Sequence, residues 1–413
     1  MMVRKLAARL GGAIAAAGLV LLAAGVPALA QKAIRVGVIQ PLSGSQSVYG
    51  RETQPVVEFL VKTINDAGGI KSMGGAKLEL VVADSASQSG QAAREAIRLI
   101  TQENVDVMIG ALLTNDMLAV TQAVDENHMP TLSFFAGGSK TKYAFTVGFA
   151  YDDGYAGSMA DFIKYLKDKT SIPVQRVTLA YANYEGGQQI NKFLKERLTA
   201  MGLTIVSEVA LDVKGQDFMV PLLKIKSEKP DVVVGLMLQN QLINLMRARH
   251  QIKYYDSIFL GTLGNSEHKL KHELGEEVAA EVLPQGLFGM ALYSPTANIP
   301  AAQKLADQLL NEAKMGDRFG QLSIPAAQAV RVLQRALEAA GTTEKEALTK
   351  AIADVKIPAG DPDLYFPLPN GLAFNDERLI KDLRSMITQW VAKPKLEPVV
   401  VFPEAVAAAR PKR

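Results

Sequence analysis

Ile34-Arg35-Val36-Gly37-Val38-Ile39-Gln40 is a run of seven residues with few polar interruptions, closed by Pro41-Leu42-Ser43-Gly44 and followed by a helix-period segment over 48–67. A strand that alternated apolar and polar residues would cover one face of a core. A near-continuous run marks a strand buried on both faces, and such strands belong to parallel sheets with helices on each side. In the segment after it, Val56, Val57, Leu60, Val61 and Ile64 share one stripe at 3.6-residue spacing, and Gly68-Gly69 offers the residue type that tolerates the left-handed conformation ending a helix. Outward from this unit, the pattern predicts strands over 78–83, 105–110 and 131–135, with helices over 91–102 and 116–126 between them. A second series opens after 149–154. Its expected helices lie near 155–167, 187–201, 218–227 and 239–250, and its strands near 176–182, 203–210, 231–237 and 257–261. The two series share an order of elements without a residue-level repeat strong enough to mark a duplication.

The expected fold is therefore α/β, with two Rossmann-like lobes. Helices over 301–314 and 326–340 read as a return to the first lobe, and the stretch from 358, with 386–391 strand-like, as a return to the second. The expected division is 31–150 with 285–357 for lobe 1, 151–284 with 358–403 for lobe 2, and 404–413 as a tail.

Residues 1–30 read as an address. Arg4, Lys5 and Arg9 precede an apolar or small stretch over 10–24, and Ala28-Leu29-Ala30 is a small-x-small cleavage signal before Gln31. The apolar stretch is short for a membrane span, which needs roughly 20 residues. Export to the periplasm with cleavage near Ala30 is the expectation. The 413-residue chain carries 45 Lys+Arg and 42 Asp+Glu; without those three basic residues it holds 42 of each sign. No positive excess then points to nucleic acid or an anionic membrane. The absence of cysteine excludes disulfides, thiolate nucleophiles and Cys-ligated clusters. Gly137-Gly138-Ser139-Lys140-Thr141 lacks the Gly-Lys-Ser/Thr order of a phosphate loop, and no G-x-S-x-G or H-E-x-x-H pattern occurs. His268 and His272 stand four apart, a spacing that suits a metal, but 267–273 is charged almost all round and reads better as a solvated helix. No cofactor is expected, and nothing marks an enzyme.

Several segments together resemble the branched-chain amino acid (Leu/Ile/Val-binding) family of periplasmic substrate-binding proteins of ABC importers. They are 34–44 with Tyr49-Gly50, Ile64-Asn65-Asp66-Ala67-Gly68-Gly69-Ile70, 105–110, Ala182-Asn183-Tyr184-Glu185-Gly186-Gly187, and Val399-Val400-Val401-Phe402-Pro403. The resemblance spans the whole chain after residue 31. It implies the type I periplasmic binding protein fold with a three-crossover hinge, a small-molecule ligand, inner-membrane permease subunits as partners, and a monomer.

Ligands of open parallel sheets sit outside the carboxyl ends of the strands, so the loops after Gln40, Gly110, Phe135 and Ala182 are expected to face a cleft. Thr114, Asn115 and Asp116 fall where a helix starts, a seat for a carboxylate on free backbone N–H groups; each serves equally as a helix cap. The resemblance implies that Thr114 gives a hydroxyl contact to the ligand, that Ala136, Gly137 and Gly138 form a main-chain contact loop, and that Tyr49 and Tyr184 are aromatic walls on opposing lobes. Of Phe134 and Phe135 one is expected in the core and one, Phe135, in the cleft. Asp152 and Asp153 mark the first crossover or cap the next helix. Family members that bind amino acids carry an acid near 261–265 to pair with the ammonium, and here the matching position is Leu263, with Met237 and Leu238 pointing the same way. The expected ligand is then a carboxylate without an α-ammonium, an aromatic or branched aliphatic acid, unless Asp116, Asp152 or Glu185 supplies the missing anion. The alternative function is a ligand-sensing regulatory module of the same fold; a secreted α/β enzyme is a more distant one.

Overall fold

The computed structural model describes residues 32–134, 141–262 and 268–413. The opening run forms strand β1 (Ile34–Gln40), six of its seven residues buried. Val36 and Val38 pack with Val56, Val57 and Leu60 of α1 (Ser47–Asp66), while Ile39 packs against α2 (Ser89–Thr101) and α3 (Thr114–Glu126). Alternate side chains thus serve helix layers on opposite faces, which is why the run contains no polar stripe. All five apolar residues of the predicted α1 stripe are buried, each contributing about 1.5–3 kcal/mol relative to exposure. Around β1, the strands β2 (Leu78–Asp84), β3 (Val107–Ile109), β4 (Thr131–Ser133) and β5 (Ala144–Thr146) complete a parallel sheet in the order β2-β1-β3-β4-β5.

A helix closed by i→i+5 bonds (Tyr151–Gly157) then runs into α4 (Ser158–Lys169) and carries the chain into the second lobe. There β6 (Arg176–Ala182), α5 (Glu185–Ala200), β7 (Thr204–Leu211), α6 (Met219–Glu228), β8 (Val232–Val234), α7 (Gln239–Gln251) and β9 (Ile258–Gly261) follow one another. After α8 (His268–Leu274) and α9 (Glu276–Val282) comes β10 (Leu287–Ala291). Helices α10 (Pro300–Asn311), α11 (Ser323–Ala340) and α12 (Lys345–Ala353) lie between it and the last strands, β11 (Met386–Val391) and β12 (Glu397–Phe402). The second sheet has seven strands in the order β12-β11-β10-β9-β8-β6-β7, parallel except where β11 joins β10 and β12.

Strand pairing moves two expected boundaries. Residue 285 was expected to begin the return to lobe 1, yet β10 pairs with β9 in the seven-stranded sheet, so the chain leaves that sheet only after Ala291. Residue 358 was expected to begin the return to lobe 2, yet Leu379 bridges Thr146 of β5, and the larger sheet is re-entered at Met386. A strand followed by helices reads alike whichever sheet receives it; the choice is made by hydrogen bonds to distant residues. The 404–413 stretch, expected as a tail, folds back on lobe 2, where the Gln389 side-chain amide accepts from Lys412 N at 2.8 Å and donates to Lys412 O.

Side chains and backbone also show the internal repeat that the sequence conceals. Asp106, just before β3, accepts from Arg35 N at 2.8 Å and returns its own N–H to Arg35 O; Asp231, just before β8, does the same with Arg176. Gly110 and Gly235 follow those strands with φ of +111° and +152°, and a Cβ on either would stand 2.3 or 2.2 Å from the carbonyl oxygen of Ile39 or Ala180. Only glycine lets the chain pass so close to the backbone of the neighbouring strand.

Candidate ligand cleft at the strand ends

The loop after β1 is tied to the loop after β2 by one carboxylate. Asp84 accepts from Leu42 N at 2.8 Å, Ser43 N at 3.1 Å, Ser43 Oγ at 2.6 Å and Ala86 N at 2.8 Å. Burial pushes its pKa up, but the Ser43 hydroxyl and three backbone N–H groups outweigh it and hold the carboxyl below its ordinary value of 3.8. The stabilisation is therefore complete above pH 3.8 and is lost as pH falls through the lower folded value. Asp84→Asn is expected to lower the melting temperature at pH 7 and to narrow its gap from wild type as pH falls below 4. Parallel melting curves over pH 3–7 would exclude this role.

This tie holds the first turn of α1, which presents Tyr49. From the other lobe, Tyr184 precedes α5, and the helix at the first crossover adds Tyr151 and Tyr155. Tyr49 and Tyr184 are 37% and 38% exposed, Tyr151 is partly buried and Tyr155 is 3% exposed, so the group runs from an open rim to a closed floor. Tyr151 and Tyr155 have ring centroids 6.4 Å apart. Burial, then proximity to Tyr151 and Tyr49, raises the Tyr184 pKa, and the phenols of Tyr151, Tyr155 and Tyr184 stay protonated through the neutral range. Tyr49 of lobe 1 and Tyr184 of lobe 2 lie close enough for their phenols to interact electrostatically. Tyr151 was assigned only to a crossover and Tyr155 only to a helix start. The usable signal was their four-residue spacing around Gly154, whose Cβ would stand 2.7 Å from that of Phe149.

Thr114 opens α3, but its hydroxyl does not cap that helix; it lies 2.9 Å from the Tyr151 hydroxyl. The Thr114 end of α3 therefore faces the tyrosines with its first-turn N–H groups. Asn115 is exposed beside it. Asp116 turns inward and is 2% exposed. Burial raises its pKa against the opposing effect of the Ser85 and Ser89 hydroxyls, so its carboxyl serves the interior of lobe 1. Asp152 and Asp153 are bound by Arg197 at 2.6 and 2.8 Å, and Arg384 reaches Asp153 at 3.4 Å and Asp161 at 2.8 Å. These acids join the crossovers to α5 and α4. Met237 is 2% exposed and packs in the apolar cluster of lobe 2 with Leu242 and Phe259, which spends its side chain on the core. Phe134 is fully buried in the lobe 1 core. Phe135, Ala136, Gly137, Gly138 and Leu263 lie outside the described residues, as does the side chain of His268.

A family model described as periplasmic binding protein matches residues 33–392. The Leu/Ile/Val-binding protein homolog 7 of Brucella melitensis is 24% identical over 395 residues, covering 94% of this chain and 95% of its own. Among solved structures, the leucine-binding protein LivK of Thermotoga maritima superposes with a TM-score of 0.71 at 20% identity, covering 91% of this chain and 98% of that one. A solute-binding protein from R. palustris, in complex with 4-hydroxybenzoate, gives 0.70 at 18% identity, with 89% and 95% covered. At these identities the two structures speak for the fold.

Proposed function

The chain belongs to the periplasmic binding protein family, and from that premise we propose that it captures a small organic carboxylate between its lobes and delivers it to the permease of an ABC importer. The ligand class is an amino acid or an aromatic or branched aliphatic acid. Family members bind solutes and release them unaltered. The observation that carries the reading is the hydrogen bond between Thr114 at the N-terminus of α3 and Tyr151 of the first crossover, with Tyr184 of the other lobe packed beside Tyr151 around Gly186. A free helix N-terminus favours an anion, and aromatic walls add buried apolar area to either side of it. The carboxyl ends of both sheets supply this setting. In this proposal residues 1–30 direct export and are removed near Ala30, and the mature protein works as a periplasmic monomer. In the same proposal Asn115 and residues 135–138 contact the ligand.

The work of such a receptor is a shift between an open and a closed arrangement, because a ligand touches both lobes only when they meet. Moving that balance from 1:99 to 99:1 needs a differential affinity of about 5.5 kcal/mol. A thermal-shift screen across amino acids, aromatic acids and short aliphatic acids is expected to reveal the ligand, since one present at ~100 times its Kd adds about 2.7 kcal/mol of stability. Small-angle scattering with that ligand is expected to show compaction. Unchanged scattering at saturation rules out capture by closure.

A further inference from the structure

Resting on the capture reading, we infer that Gln321 and Ser385 are positioning residues for closure: from opposite lobes they grip one peptide group, that joining Ala291 to Leu292, and make it the pivot on which the lobes turn. Ser385 belongs to lobe 2. It immediately precedes β11, and its N–H donates to the Ser158 hydroxyl at the start of α4 at 2.9 Å. Its own hydroxyl accepts from Ala291 N at 3.0 Å and shares its proton between Ala291 O at 3.1 Å and Met386 O at 2.7 Å. Gln321 belongs to lobe 1. It stands just before α11, whose Ser323 N donates to Glu52 of α1 at 2.9 Å. Its side-chain oxygen accepts from Leu292 N at 2.6 Å and Tyr293 N at 3.0 Å, and its side-chain nitrogen donates to Tyr293 O at 3.1 Å. Both side chains are buried.

The chain therefore passes from one lobe to the other within a single peptide group, its carbonyl held by lobe 2 and its N–H by lobe 1. The other crossovers leave slack. In the first, Val147 N donates to Ser133 O on lobe 1, and the next bond runs from Tyr155 N to Ala150 O in the helix leading to α4, so residues 148 and 149 carry the change. In the third, Arg378 O accepts from Thr146 N on lobe 1 and Lys381 N donates to Ala373 O; Arg384 then binds Asp161 of α4, so Asp382 and Leu383 carry it. Two bodies joined at three places turn about the junction with least slack. The Gln321 amide makes that junction rigid, since its one acceptor and one donor group match two N–H groups and a carbonyl. Without it Leu292 and Tyr293 regain backbone freedom, and closing on a ligand has to order them again.

The chain has no cysteine, so Ile97→Cys on α2 and Leu223→Cys on α6, exposed positions on opposite lobes, accept one spin label each. Double electron–electron resonance on the unliganded chain from Gln31 onward then reads the spread of interlobe distances. Gln321→Leu is expected to broaden that spread and to speed amide exchange of Leu292 and Tyr293 roughly tenfold, the worth of one net hydrogen bond. Gln321→Glu keeps an acceptor for both N–H groups and is expected to recover most of the wild-type spread. Arg249→Met, which weakens lobe 2 without touching a crossover, is expected to leave the spread unchanged. The inference is overturned if Gln321→Leu keeps the wild-type spread, or if Arg249→Met broadens it as much. Should Gln321→Leu not fold, wild-type amides at 291–293 that exchange as freely as an exposed loop overturn it instead. No ligand enters this experiment, so these outcomes leave capture standing; capture fails on its own test, unchanged scattering at saturation.

Discussion

Replacing Arg249 with methionine is expected to lower the unfolding free energy by about 3–5 kcal/mol, because buried carbonyls left without a donor cost about 1–3 kcal/mol each. The guanidinium is fully buried at the end of α7. It donates to three backbone carbonyls, Tyr254 O at 2.8 Å, Ser257 O at 2.9 Å and Gln285 O at 2.6 Å, and stands 4.5 Å from the ring centroid of Phe259. Burial lowers its pKa to about 10, so it remains charged at neutral pH. Replacing a whole buried ion pair by apolar groups is often harmless, because both partners go. Here the partners are carbonyls of the chain itself, and methionine leaves all three without a donor. They belong to the loops that enter β9 and β10, so the damage falls at the amino ends of two neighbouring strands of the larger sheet. Urea titration of both proteins measures the difference; a loss under 1 kcal/mol would show that the network does not hold these loops.

The second large effect is expected on binding rather than stability. Gly186 is buried at the second position of α5, and a Cβ there would stand 2.9 Å from Tyr184 Cε2 and 3.0 Å from the Tyr151 hydroxyl. Gly186→Val must displace both rings and with them the Thr114–Tyr151 hydrogen bond. Overpacking of about 1–3 kcal/mol, taken up where two flexible side chains meet the cleft, corresponds to an affinity loss of roughly 5- to 150-fold. Titration with the ligand found in the thermal screen measures it, and the unliganded melting temperature shows whether α5 is intact. Undiminished affinity with an intact fold would remove these tyrosines from the binding surface.

The readable part of the cleft was what lay in single segments. Tyr49, Thr114 and Tyr184 stand next to strand ends and helix starts, and those positions follow from local pattern. Tyr151 and Tyr155 were not selected because a helix with i→i+5 bonds lacks the 3.6 period by which a helix face is recognised. Met237 follows an apolar strand and looks equally suited to core or cleft. Its burial with Leu242 and Phe259 depends on how α7 returns over β8 and β9.

The sequence by itself determined the alternation of strands and helices, the two-sided burial of β1, the stripe of α1 and the membership of the chain in its family. These rest on periods of two and 3.6 residues, and hydrophobic burial acts on them wherever the element is placed. Only the tertiary structure decided that β10 joins the larger sheet, that Asp106 and Asp231 repeat one bond across 71 and 55 residues, and that the Thr114 hydroxyl meets that of Tyr151. Each of these is a contact between residues whose separation is set by the path of the chain, and no local period encodes which distant partner a polar group meets.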